Sequence, residues 1–182
     1  MVEAHEKTAL REQLRQLRQK RFTNEPFLHL LASSHLIQAK VIATYISYGF
    51  EPSTSELNAE LLAINKTLLL PRISGDFLEW VQWNGDFEEL QEHGNLLEPL
   101  GNAEEDLTII DVIIVPALYV DVDGFRLGQG GGYYDRTLAT LNAWKVALVH
   151  QGEVGEDQIP RQPHDIPVDA VATSRNLKIF KK

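Results

Sequence analysis

Apolar residues recur along this chain in three rhythms, and each predicts a different element. Near the start, Leu10, Leu14 and Leu17 fall at helical spacing with arginines between them, which predicts an amphipathic helix ending near Phe22. Thr23-Asn24-Glu25-Pro26 then offers a cap, an acid and a proline, the start signal of a second helix running to about Ala39 and packed beside the first. Nearly continuous apolar runs over 41–47, 67–73, 111–118, 145–149 and 168–173 predict strands buried on both faces, with Pro71 limiting pairing near the end of the second. The imperfect alternation over 77–83 predicts a strand exposed on one side. Thr54 is positioned to cap a helix through about Ile64, and another helix is expected from about Tyr133 to Leu141. The polar, acidic stretch from Asn84 to Asp106 shows no period and is expected to be the least structured part.

Strands that alternate with helices imply an α/β fold, here a single three-layer α/β/α domain over residues 1–182 with a mainly parallel central sheet. A chain of 182 residues can bury one full core and is short for two of ordinary size. Its 43% hydrophobic and 24% charged residues are those of an ordinary globular protein. No run approaches the roughly 18 apolar residues of a membrane span, and the first residues lack the apolar core of a secretory signal, so no membrane partner and a cytoplasmic location are expected. The absence of cysteine excludes disulfides, thiolate metal sites and a cysteine nucleophile. A net charge of -9 argues against nucleic acid as a partner. The charge is uneven: Lys7, Arg11, Arg15, Arg18, Lys20 and Arg21 outnumber Glu3, Glu6 and Glu12 in the first 22 residues, a local surplus that an anionic small molecule can use.

The strongest buried-strand signal, 111–118, runs into a loop with five glycines between Gly124 and Gly132. Glycine permits left-handed backbone and close approach by a ligand. Successive N–H groups in such a turn, followed by a helix, form a concavity suited to phosphate, and Arg126 adds a cation able to make two parallel hydrogen bonds. The loop lacks the Gly-Lys-Ser/Thr ending of a P-loop, and Tyr133 stands where the dinucleotide fingerprint needs a third glycine. On the glycines alone, a tight crossover turn without a ligand is an equal reading.

The string Arg126-Leu-Gly-Gln-Gly-Gly-Gly-Tyr-Tyr-Asp-Arg136 resembles the signature of 5-formyltetrahydrofolate cyclo-ligases, also called methenyltetrahydrofolate synthetases. The resemblance continues, in the family's order, through Lys7-Thr-Ala-Leu-Arg11, Tyr45-Ile-Ser-Tyr-Gly-Phe-Glu51-Pro, Leu70-Pro-Arg72, Val115-Pro-Ala-Leu and His164-Asp165-Ile-Pro-Val-Asp169. It implies an ATP- and Mg2+-dependent ligase of folate and one-carbon metabolism, which phosphorylates the formyl oxygen of 5-formyltetrahydrofolate and releases ADP and phosphate as the ring closes to 5,10-methenyltetrahydrofolate.

The same resemblance assigns residues. Lys7, Arg11, Arg126, Leu127, Gly128, Gln129, Gly130, Gly131, Gly132, Tyr133 and Tyr134 would bind ATP; Arg126 and Tyr133 would act at the reacting groups. Ile46, Glu51 and Tyr133 would contact the folate. Asp135 and Asp165 would hold Mg2+. Gln129 departs from relatives that carry a cation there, and His150 is expected to be structural. A monomer is expected, and the alternatives are a non-catalytic folate- or nucleotide-binding relative and another ATP-dependent phosphoryl transferase.

Overall fold

The computed structural model describes residues 2–181. In chain order the elements are α1 (Val2–Arg21), a 3-10 turn (Leu28–Ala32), α2 (Ser34–Gln38), β1 (Val41–Ala43), α3 (Ser55–Ala63), β2 (Thr67–Ser74), β3 (Phe77–Trp83), β4 (Leu90–His93), β5 (Leu96–Pro99), β6 (Val112–Pro116), β7 (Tyr119–Val120), β8 (Arg126–Leu127), α4 (Tyr133–Leu138), β9 (Trp144–Leu148), β10 (Ala170–Ala172) and β11 (Leu177–Ile179).

Seven of the strands form one sheet in the order β11-β10-β9-β6-β1-β2-β3. Its five inner strands are parallel, with Ile42 opposite both Leu68 and Val112 and Ile114 opposite Val146, and antiparallel β3 and β11 close the two edges. The unbroken apolar runs follow from burial on both faces. On one side, Ile42, Leu68, Leu70, Val112, Ile114, Val146 and Leu148 pack under Phe27, Leu30, Leu36, Leu57 and Leu61. On the other, the intervening Ala43, Leu69, Ile113, Val115 and Ala147 pack with Leu138, Leu141 and Trp80. Helical segments thus cover both faces, and the expected three-layer α/β/α architecture is present.

From β1 the chain winds outward to β2 and β3, then returns across β1 to β6 and proceeds outward the other way. This reversal opens a crevice beyond the carboxyl ends of β1 and β6, where ligands bind in open α/β sheets.

Four local expectations are corrected. The second helix is interrupted at Ser33, whose extended backbone and side-chain bond from Leu36 N start α2 afresh after the 3-10 turn. The apolar side of α1 does not pair with that region: Leu14 and Leu10 pack with Leu118, Leu127 and Ile159. Thr54 precedes α3 as expected, but its hydroxyl donates to Tyr45 O at 2.7 Å and accepts from Ser47 N at 3.1 Å instead of capping the helix. The stretch from Asn84 to Asp106 contains the β4–β5 hairpin, whose pairing is invisible to periodicity because only β5 carries buried side chains.

Candidate active site

The crevice is a cavity of about 300 Å3 walled by seven separate parts of the chain, among them Pro71 and Ile73 of β2 with Leu78 of β3. Tyr45, Ile46, Tyr48 and Glu51 come from the segment after β1, Ala117 and Leu118 from the end of β6, and Lys7 and Arg11 from α1. Residues Arg126 through Asp135 form the glycine-rich wall, and Gln162, His164 and Asp165 come from the long connection before β10. Every residue assigned to a site on sequence grounds lines this one cavity. The β4–β5 hairpin contributes Leu96, Leu97 and Glu98, which no motif marked.

The glycines of the loop have different tasks. Gly124, at φ +87°, sits where an added Cβ would lie 2.8 Å from Val168 O, so it serves chain packing. Gly130 and Gly132 also have positive φ, and Gly132 begins α4. Gly128 has neither constraint: a Cβ there would meet open space. Because α4 is only six residues long, its dipole adds little, and side-chain cations supply most of the positive field.

Those cations come from α1 and β8. Lys7, Arg11 and Arg15 follow one another at intervals of four along one side of α1. Lys7 is buried and paired with Asp165, whose Oδ2 also accepts Gln162 N at 2.6 Å. Arg11 donates to Gly128 O at 2.9 Å, and Arg15 donates to both the side chain and the carbonyl of Gln129 at 3.0 Å. The loop position that is neutral through Gln129 therefore has a guanidinium held against it from α1. Arg126 is buried and donates to Asp135 Oδ1 at 2.9 Å. Burial holds the guanidinium of Arg126 below its ordinary pKa while Asp135 opposes that shift; burial, then Arg15, does the same to Arg11.

Comparison with known proteins identifies the family. The model of the 5-formyltetrahydrofolate cyclo-ligase family matches residues 3–174. The chain belongs to the 5-formyltetrahydrofolate cyclo-ligase family. A 5-formyltetrahydrofolate cyclo-ligase of Mycolicibacterium smegmatis is 36% identical over 149 residues, covering 76% of this chain and 76% of the relative. The Escherichia coli cyclo-ligase is 30% identical over 146 residues, covering 76% and 80%. The structure of the 5,10-methenyltetrahydrofolate synthetase of Aquifex aeolicus superposes with a TM-score of 0.82 at 27% identity, covering 97% of this chain and 93% of that one.

The cavity also holds a carboxylate. Glu51, only 7% exposed, accepts Tyr48 N at 3.3 Å. Burial pushes its pKa up to about 7, with the Tyr48 N–H and the charge of Arg18 pulling the other way. The segment that carries Glu51 is braced from behind: Arg18 makes a buried two-point pair with Glu153, at 2.8 and 2.5 Å, and Glu153 accepts His150 N. His150 Nε2 lies 3.0 Å from Phe50 O and donates to it, since a carbonyl only accepts, so its place in the structure is that of a brace. Arg72 is likewise engaged, with Glu79 and with the carbonyls of Pro99 and Gly101, and Asp169 accepts Lys145 N.

Asp135 and Asp165 are hard oxygen donors on the same cavity wall, and each commits one oxygen to its cation. Among the described residues no group of three or more potential ligands comes together. A divalent ion that keeps several waters and takes one or two carboxylates fits such a pair; one that needs a full protein cage does not. Among the described residues, no helix is long and apolar enough to cross a membrane.

Proposed function

We propose that this chain, acting as one domain in the cytoplasm, converts 5-formyltetrahydrofolate and ATP to 5,10-methenyltetrahydrofolate, ADP and phosphate. The observation that carries the reading is the convergence of a cationic glycine-rich wall and a buried carboxylate, Glu51, on one cavity. The first suits a triphosphate and the second suits the N–H groups of a pterin ring.

A formyl amide is a poor electrophile and its oxygen a poor leaving group. The formyl oxygen attacks the terminal phosphorus and the bond to ADP breaks. The nitrogen at position 10 then attacks the activated carbon and gives up its proton, and phosphate leaves with the former formyl oxygen. Little covalent work falls to the protein, which must align the reactants and neutralise charge. Lys7, Arg11 and Arg126 with the N–H groups of 127–134 bind the phosphates, and Arg126 and Tyr133 flank the transferring group. Ile46, Glu51 and Tyr133 hold the folate. Asp135 and Asp165 hold Mg2+, which when bound screens phosphate charge.

The test is ultraviolet detection of the methenyl product with both substrates, each alone and after chelation of divalent ions. Product that needs both substrates and the metal supports the reading, whereas ATP consumption without methenyl product overturns it.

A further inference from the structure

Tyr45 is the last buried aromatic before the Glu51 segment and lines the cavity. It is 4% exposed, and its hydroxyl is buried with no hydrogen-bond partner among the described residues. Its own carbonyl is fully engaged, accepting the Thr54 hydroxyl at 2.7 Å and Asn58 Nδ2 at 3.0 Å, so the backbone at this residue is held from two sides. The ring packs in the core with Leu57, Leu61 and their neighbours. A pinned side chain whose only polar atom lacks a partner is an exception in a folded protein and calls for a missing one.

Apolar packing alone would be served as well by phenylalanine, without the cost of desolvating a hydroxyl. The groups that act on Tyr45 electrostatically include Glu51 and Tyr134, two other walls of the same cavity. Burial, with Glu51 next in effect, raises the pKa of the phenol well above its ordinary value, so the group stays protonated and is a donor.

We propose that the Tyr45 hydroxyl is a folate-binding group that donates a hydrogen bond to the ring carbonyl of the pterin beside the N–H edge taken by Glu51. The chemistry of the ring motivates the pairing. A pterin presents an exocyclic amino group and a ring N–H side by side, with a carbonyl next to them. A carboxylate satisfies the two donors but repels the carbonyl oxygen, which needs a donor at its flank. Glu51 and Tyr45 together supply acceptor and donor in that sequence. The inference rests on the reading of the Glu51 side as the folate side.

The experiment is calorimetric titration of the full chain and of Tyr45→Phe, with 5-formyltetrahydrofolate and separately with ATP, together with urea unfolding of both proteins without ligand. Loss of one hydrogen bond to the ligand predicts folate binding weakened about tenfold, ATP binding unchanged and a urea midpoint no lower than wild type, because the substitution removes an orphaned polar group. In steady state the same change raises KM for the folate with little effect on KM for ATP. Equal folate affinity in the two proteins overturns the proposal while leaving the folate reading intact. A variant that loses stability in parallel with affinity also overturns it, since the hydroxyl would then have a partner in the free protein. Failure of the wild-type chain to bind the folate overturns the reading of the site itself.

Discussion

Replacing Glu51 by glutamine isolates what its buried charge does to folding and to binding. The carboxyl of Glu51 has its pKa raised from an ordinary 4.5 to about 7 in the folded chain. With folded pKa above unfolded pKa, the favourable contribution is complete below about pH 4.5 and is lost as pH rises through 7, where folding must hold an ionised group out of water. The difference corresponds to about 3.5 kcal/mol as an upper figure, each pKa unit being roughly 1.4 kcal/mol. Glu51→Gln, which cannot ionise, should therefore match wild type in urea unfolding near pH 4 and exceed it by up to about 3.5 kcal/mol at pH 8. Binding should move the other way. If the ionised carboxylate accepts the pterin N–H groups, folate affinity of wild type rises as pH increases through 7, because below that the proton must first be removed. The variant should bind folate more weakly, by about 1.5 to 3 kcal/mol as for hydrogen bonds to a charged group, and without that pH dependence. Identical stability profiles for the two proteins between pH 4 and 8 would refute the burial argument. A stability gain with unchanged folate affinity would remove Glu51 from the ligand site.

Three further outcomes follow from the geometry. Gly128→Ala meets open space and no positive φ, so its urea midpoint should stay close to wild type, within about 0.5 kcal/mol, while KM for ATP rises if phosphate approaches the loop there. Arg18→Met leaves Glu153 buried without its cation and should cost about 3 to 5 kcal/mol, whereas Arg18→Met with Glu153→Leu should recover only part of that loss in the same unfolding measurement, because His150 N and Ala117 O then lose their buried partners. Arg126→Met keeps an apolar stem in the buried position and should weaken ATP binding by about 1.5 to 3 kcal/mol in calorimetry; unchanged affinity would take Arg126 out of the nucleotide site.

The strands were legible in the chain because burial on both faces leaves a mark that needs no knowledge of neighbours. The run Val112-Ile-Ile-Val115 sends alternate residues into two cores and so must be apolar throughout. The glycine-rich loop, Glu51 and the two aspartates were legible through their order in the matching strings, and the fold brings them to one cavity. Other features depend on partners distant in sequence. That Gln129 is faced by Arg15, that Arg18 is neutralised by Glu153 and that Lys7 meets Asp165 are facts of tertiary contact across more than a hundred residues. The β4–β5 hairpin was hidden because β4 lies largely exposed and leaves no apolar rhythm, yet β5 puts Leu96 and Leu97 on the pocket. β11 was hidden because a short edge strand needs no buried pattern of its own. The sequence alone thus determined which segments are buried, since burial leaves its mark in local composition and spacing, and it pointed to the residues that can carry the chemistry only through their match to the family's strings. Only the tertiary structure decided which of those side chains already have partners and which, like the Tyr45 hydroxyl, do not, because hydrogen-bond satisfaction is a property of where atoms meet.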